Sequence, residues 1–233
     1  MPNTQPASYP DTKLWNVPNI LTMLRIVLAV VVFALFPFAR IVESAARGIY
    51  LVCLVLFVIA AITDFVDGWW ARKYNQKTQF GRIMDPFADK ALVCGTFICL
   101  VAAPELHNLF PNCASSCPMS KIPFGLATWM VIAIIMREMF VTMLRSMVES
   151  SGGDFSAKWI GKWKTGVQCV DLPLGFLILI LGGAAAPCWV KALFVILLYV
   201  VVYLTLYSGW IYIRAAIGMG KKTNDIPSSE KKD

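Results

Sequence analysis

Four aspartates are the residues of this sequence best suited to do chemistry. Asp64 and Asp67 stand three residues apart, and Asp85 and Asp89 stand four residues apart. On a helix, each spacing places both carboxylates on one face. Two helices joined by a short connection can therefore bring the four carboxylates to a common point. Clustered carboxylates suit hard divalent cations such as Mg²⁺ or Mn²⁺, and a pair of such ions that bridges phosphate oxygens recurs in phosphoryl chemistry.

The chain around these aspartates is strongly apolar. Of its 233 residues, 58% are hydrophobic and 15% are charged, and the mean hydropathy is +0.66. A soluble domain of this length would be about a quarter charged. The composition therefore indicates an integral membrane protein with one compact domain. The net charge of +7 favours contact with anionic lipid headgroups over nucleic acid, because most of the charges lie between apolar runs.

Six stretches have the length and composition of membrane-spanning helices, which need about twenty mostly apolar residues. They are Ile20–Phe38, Ile49–Trp70, Pro86–Ala103, Phe124–Val148, Gly166–Leu181 and Trp189–Ile213. The pattern predicts an all-α membrane protein with a single catalytic domain over residues 1–215. Residues 1–19 are expected to form an N-terminal interfacial segment, and residues 216–233 a polar, disordered tail.

The distribution of positive charge predicts the orientation of these spans. The two tails and the connections after the second and fourth spans carry 14 lysines and arginines, whereas the opposite side carries four. Positive residues accumulate on the cytoplasmic side of membrane proteins. We therefore expect both termini and all four aspartates to face the cytoplasm. The expected location is the bacterial inner (cytoplasmic) membrane.

Three cysteines lie in loops on the opposite side, where thiols can oxidise. They are Cys113, Cys117 and Cys188. We expect a disulfide that involves Cys113 or Cys117, with Cys188 as a candidate partner. A zinc site is disfavoured, because the chain has a single histidine and no second pair of closely spaced cysteines.

The acidic segment also follows a longer pattern, Asp-x2-Asp-Gly-x2-Ala-Arg-x8-Gly-x3-Asp-x3-Asp. Eight residues fill it within 26 positions: Asp64, Asp67, Gly68, Ala71, Arg72, Gly81, Asp85 and Asp89. This pattern resembles the signature of the CDP-alcohol phosphotransferase family. The resemblance implies six membrane helices, a homodimer and a cytoplasm-facing site with two divalent cations that displaces CMP from a CDP-linked substrate.

The resemblance also implies a role for individual residues. The four aspartates would hold the metals, and Asp89 would be the general base that takes a proton from the acceptor hydroxyl. Arg72 would bind the diphosphate, while small residues would leave room for the cytidine. The full set of implied CDP contacts is Asn19, Thr22, Asp67, Gly68, Ala71, Arg72, Thr78 and Gly81.

A second group of residues bears on the acceptor. Arg137 lies well inside the fourth span, and Arg145 follows about 12 Å further along nearly the same helix face. An arginine at membrane depth is a functional hypothesis by default; the structural alternative is an ion pair with Glu138 or with an aspartate. Together with Lys162, these arginines could form a cationic pocket that suits an acceptor bearing a phosphate.

Three further segments resemble family members that use glycerol 3-phosphate as the acceptor. They are Asn16–Arg25, Arg137–Arg145 and Ser156–Gln168. We therefore expect transfer of a phosphatidyl group from CDP-diacylglycerol to sn-glycerol 3-phosphate. Siblings that use inositol phosphate or phosphatidylglycerol share the signature and stay open as alternatives. A divalent-cation transporter is a more distant alternative, because an ion pathway should place acids at several depths, whereas all four aspartates are expected near one face of the membrane.

Overall fold

The structure is a computed structural model that describes residues 17–74, 79–107, 109–110, 125–150 and 159–224. At some positions within the helices it describes the backbone but not the side chain. All regular structure in these ranges is helical, which confirms the predicted all-α fold.

Six α-helices run through the described residues. They are α1 (Val17–Ile41), α2 (Ala46–Tyr74), α3 (Gln79–Val101), α4 (Thr128–Ser150), α5 (Trp159–Ile180) and α6 (Cys188–Asn224). Short 3₁₀ turns at Glu43–Ala45, Pro104–Leu106 and Gly183–Ala185 lie at the ends of the helices.

Helix α1 packs against α2 and α3, while α5 packs against α2 and α6, and α4 lies against α6 and α3. Aromatic side chains join the two halves of this bundle. The ring of Phe176 on α5 lies 6.2 Å from that of Phe36 on α1 and 6.3 Å from that of Phe57 on α2, measured between centroids. Such contacts matter in a membrane, where van der Waals packing rather than the hydrophobic effect holds helices together.

Two glycines allow close approach between helices. Gly95 on α3 faces the ring of Phe33 on α1, which occupies the space that a Cβ would need. Gly175 on α5 faces Leu100 of α3 and Phe194 of α6. Small residues at such positions let helix backbones come together in membranes, and here they fix α3 between α1 and α5.

Apolar side chains also cover much of the outside of the bundle, as expected for contact with lipid. Within the described residues, three helical stretches are long and apolar enough to cross a membrane: Asn19–Ile41, Glu43–Asp64 and Cys188–Ile211. They correspond to the first, second and sixth predicted spans. Helices α3, α4 and α5 have 22 or 23 residues each, about 33 Å of helix, but they carry more polar residues. The count of six spans therefore stays a prediction.

The acidic helices extend further than their hydropathy suggests. Helix α2 continues for ten residues beyond Asp64, and α3 begins six residues before Asp85. Helix α6 likewise continues to Asn224, inside the segment predicted as a tail. The remaining tail residues, 225–233, and most of the predicted interfacial segment, residues 1–16, lie outside the described part of the chain.

At the opposite end of the bundle, short backbone contacts close the connections. The N–H of Gly125 donates to His107 O at 3.1 Å, and the N–H of Leu126 donates to Leu106 O at 2.8 Å. Between α5 and α6 the chain turns through Gly182 and Gly183, whose φ values of +84° and +56° lie in the left-handed region that glycine adopts without strain.

Candidate active site

The acidic site is built on the facing helices α2 and α3. The side chain of Asp64 on α2 is 46% exposed; on α3, Asp85 is exposed and Asp89 is partly buried. Asp89 lies within electrostatic range of Asp64, and of the cations Arg25 and Lys90. Three of the four predicted acids therefore share one region of the bundle. The side chain of Asp67, on the same helix as Asp64, is not among those described.

Side chains of helix α1 contact both acidic helices. Its Arg25 is 1% exposed and places Nη1 2.7 Å from Asp64 Oδ1. Thr22, one turn earlier on the same face, donates from Oγ1 to Asp85 Oδ1 at 2.6 Å. One face of α1 therefore holds the carboxylates of α2 and α3 in place.

This contact shows a functional candidate that the sequence reasoning missed. Asn19 and Thr22 were predicted to contact CDP, and both are buried on α1 beside Arg25. Arg25 itself was not singled out, although a charged residue in the first apolar span is a signal of its own. Its ion pair with Asp64 places it in the acidic site.

The donor chemistry of this site suits a hard divalent cation, since the acids supply only oxygen ligands. Among the described side chains, no three acidic, histidine or cysteine residues come close enough to form a complete metal-binding group. The described side chains thus provide three members of the predicted ligand set, Asp64, Asp85 and Asp89; the side chain of the fourth member, Asp67, is not described.

A second charged cluster lies where α3, α4 and α5 meet. Glu138 of α4 accepts a hydrogen bond on Oε1 from Nη1 of the neighbouring Arg137 at 3.0 Å. Lys164 of α5 forms an ion pair with the same oxygen, and Lys90 Nζ of α3 lies 4.0 Å from Glu138 Oε2. We call these four residues the Glu138 cluster. Its members are largely buried, so their charges interact more strongly than they would in water.

The predicted acceptor residues are placed unequally. Arg137 lies in the Glu138 cluster, so its predicted pair with Glu138 is observed. Its Nη2 also donates to Ser208 Oγ on α6 at 2.7 Å. Arg145 and Lys162 belong to α4 and α5, but their side chains are not described. The lysine that the structure shows buried at this level is Lys164.

The remaining predicted CDP contacts lie at the end of α2, at the start of α3 or between the two helices. Thr78 lies outside the described residues, and at the other members of the pattern the structure describes only the helical backbone. These members are Gly68, Ala71, Arg72 and Gly81.

On the opposite face of the membrane domain, Cys188 at the start of α6 is disulfide-bonded. Cys113 and Cys117, its predicted candidate partners, lie outside the described residues. The other four cysteines of the described part, Cys53, Cys94, Cys99 and Cys169, are free thiols.

Comparison with known proteins identifies the class of protein to which this site belongs. The sequence matches the CDP-alcohol phosphatidyltransferase family over residues 15–219. The chain therefore belongs to this family, as the acidic pattern predicted, and it is a membrane protein. Members of the family generally depend on divalent cations.

Individual relatives cover nearly the same length. The chain is 34% identical over 211 residues to a CDP-diacylglycerol–glycerol-3-phosphate 3-phosphatidyltransferase of Bacillus subtilis, covering 85% of this chain and 94% of that protein. It is 31% identical over 209 residues to the Haemophilus influenzae enzyme of the same name, covering 88% and 95%. A probable phosphatidylglycerophosphate synthase of Mycobacterium tuberculosis is 34% identical over 205 residues, covering 88% and 83%.

Proposed function

We propose that this protein transfers the phosphatidyl group of CDP-diacylglycerol to sn-glycerol 3-phosphate, releasing CMP and phosphatidylglycerophosphate. The observation that carries the choice of acceptor is the Glu138 cluster, in which Arg137, Lys164 and Lys90 converge beside the acidic helices. Guanidinium and ammonium groups bind phosphate oxygens strongly. The names of the relatives support the same reaction.

The acceptor would lie between the two clusters. Its phosphate would bind the cations of the Glu138 cluster, and its 1-hydroxyl would point toward Asp89. Asp89 would take the hydroxyl proton, and the oxygen would attack the β-phosphorus of CDP-diacylglycerol, breaking its bond to the oxygen that leaves with CMP. A general base must come within hydrogen-bond reach of the proton that it removes. Lys90, which follows Asp89 in the chain and lies in the Glu138 cluster, joins the two regions.

The remaining assignments follow the family pattern. Two divalent cations, Mg²⁺ or Mn²⁺, would be held by Asp64, Asp67, Asp85 and Asp89. When bound, such ions neutralise diphosphate charge and stabilise the leaving CMP. The CDP group would contact Asn19 and Thr22, and the small residues and Arg72 of the pattern. Arg145 and Lys162 would complete the acceptor pocket from α4 and α5.

The cellular setting belongs to the same proposal. The excess of positive charge at one end of the bundle supports a cytoplasm-facing site with both termini cytoplasmic. The similar bacterial enzymes support a location in the bacterial inner membrane. Six helices would span that membrane, and the protein would act as a homodimer. The diacylglycerol chains would lie against the apolar outer faces of the helices.

A panel of acceptors tests this function. Purified protein in detergent micelles with CDP-diacylglycerol and Mg²⁺ or Mn²⁺ is expected to release CMP when glycerol 3-phosphate is added. Inositol phosphate, phosphatidylglycerol, serine and water serve as comparison acceptors, and the lipid product is identified by mass spectrometry. CMP release with inositol phosphate or phosphatidylglycerol alone would show that the acceptor is wrong while the family chemistry holds.

A further inference from the structure

Glu138 occupies a position that the reaction above does not use directly. Its negative charge cannot bind a phosphate, yet its carboxylate lies at the centre of the cationic cluster. Its Oε1 accepts from Arg137 Nη1 at 3.0 Å and pairs with Lys164 Nζ, while Oε2 is 4.0 Å from Lys90 Nζ. One side chain, 15% exposed, therefore contacts cations from three helices.

The contact with Lys90 includes the backbone of α4. Lys90 Nζ lies 3.4 Å from the carbonyl oxygen of Glu138 and also donates to Thr142 Oγ1. Thr142 Oγ1 in turn donates to that same carbonyl at 2.7 Å. The ammonium of Lys90 is therefore docked on one turn of α4. Because Asp89 precedes Lys90 in the chain, this turn also fixes the position of Asp89 relative to Arg137.

The carboxylate of Glu138 also holds two cations close together, because Arg137 and Lys164 both pair with its Oε1. Arg137 and Lys164 come from different helices, and like charges at this distance repel each other. The shared carboxylate offsets that repulsion. Burying an ammonium such as that of Lys164 without a counter-charge would be strongly unfavourable. Loss of the carboxylate is therefore expected to separate the two cations, and a phosphate group needs both within reach.

We propose that Glu138 is a positioning residue of the acceptor site. It holds Arg137 and Lys164 side by side for the acceptor's phosphate, and through Lys90 it sets the distance from that phosphate to Asp89. This inference rests on the proposed function for its substrate. It assigns Glu138 no contact with the substrate, since a carboxylate would repel the phosphate dianion.

Steady-state kinetics of Glu138→Gln test this role. The variant is expected to raise the KM for glycerol 3-phosphate about tenfold or more and to lower kcat, while the KM for CDP-diacylglycerol stays within about twofold. Inorganic phosphate, as a competitive inhibitor against glycerol 3-phosphate, is expected to bind the variant more weakly by a similar factor. Glu43→Gln, an exposed acid at the other end of the bundle, is the matched control and should leave all these values unchanged.

A double-mutant cycle separates positioning from general loss of structure. If part of the effect of Glu138 passes through Lys164, the factor by which Glu138→Gln raises the KM for the acceptor should be smaller in the Lys164→Met background than in the wild type; equal factors in the two backgrounds would show that Glu138 does not act through Lys164. Glu138→Asp keeps the charge but has a shorter reach, so an intermediate KM is expected. This variant decides the question if the glutamine variant does not fold.

Two results would overturn the proposal. An unchanged KM for glycerol 3-phosphate, with a lower melting temperature, would make Glu138 a structural link only. A lower KM would make it a competitor of the phosphate. Neither result bears on the wild-type protein's own release of CMP with glycerol 3-phosphate, which tests the proposed function separately.

Discussion

At the scale of single residues, the site depends on which carboxylate can accept a proton. Asp85 is exposed, and Asp64 is tied to Arg25 at 2.7 Å. Asp89 is partly buried and lies near both Arg25 and Lys90, and no ion pair to it is found among the described residues. A carboxylate with this environment suits the role of general base better than its neighbours do.

Replacement of Asp89 by Asn tests that role. The amide cannot accept the hydroxyl proton, so CMP release with saturating glycerol 3-phosphate is expected to fall about 10²–10⁴-fold. The measurement is CMP formation over time by the purified variant, at equal protein concentration and with a melting curve as the check on folding. Full activity in Asp89→Asn would contradict the assignment.

Asp171→Asn is the matched control for this change. Asp171 is fully buried on α5, and neither carboxylate oxygen has a hydrogen-bond partner in the described part of the protein. It lies outside the machinery proposed here, so CMP release should be unchanged. An unpaired carboxylate is costly to bury, so the amide is expected to leave the melting temperature unchanged or raise it.

Single residues also show how far sequence reasoning reaches. The aspartates were identified because their spacing alone places them on shared helix faces. Arg25, Lys164 and Glu138 were not placed in the site, because their roles depend on partners on other helices. These partners lie 26 positions away in the chain for Glu138–Lys164, 39 for Arg25–Asp64 and 48 for Lys90–Glu138. Spacing within one helix carries no information about such contacts.

At the scale of helices, the packing of α1 on α3 supports the acidic site. Gly95 of α3 faces the ring of Phe33 of α1, which occupies the space that a Cβ would need. The same two helices carry Thr22 and Asp85, which hydrogen-bond at 2.6 Å. A change in the spacing of α1 and α3 should therefore affect both stability and activity.

Gly95→Ala tests this coupling. The added methyl would overlap the Phe33 ring, so the ring or the two helices must shift, at a cost of about 1–3 kcal/mol. We expect a lower melting temperature in detergent and reduced CMP release, both restored in part by Phe33→Leu. Gly48→Ala is the control, because no heavy atom lies within 4 Å of its added Cβ; a melting temperature for Gly95→Ala equal to that of Gly48→Ala would refute the coupling.

The apolar section of each helix was predictable from the sequence. Hydropathy located all six, because each contains a long apolar run. It placed the ends of α2 and α3 less well, since charged residues lower the hydropathy without ending the helix. Backbone hydrogen bonding continues through Asp64 as far as Tyr74.

At the scale of the whole molecule, charge and chemistry are polarised along the bundle. The acidic site and the Glu138 cluster lie toward one end, and the bonded Cys188 lies at the other. Hydropathy and charge predicted this polarity from the sequence. They could not predict which helices are neighbours, for example that α4 lies between α3 and α6, because apolar faces of similar composition can pack in many orders.

The orientation is testable by thiol labelling of intact bacterial cells. On the predicted topology, a membrane-impermeant maleimide should label Cys188 from outside, but only after reduction of its disulfide. A cysteine introduced by Ser228→Cys should react only after the cells are permeabilised. Labelling of the introduced cysteine in intact cells would contradict the proposed orientation.

The backbone contacts between the end of α3 and the start of α4, remote from the acidic site, offer a practical use. Leu106 and His107 hydrogen-bond to Leu126 and Gly125, so the intervening chain departs from and returns to nearly the same point. Lengthening a loop whose ends are already joined costs little entropy, roughly 0.6 kcal/mol for each doubling. A foreign epitope or a small fluorescent domain could therefore be grafted there, giving antibodies or a microscope a handle on the face remote from catalysis while the helices keep their arrangement.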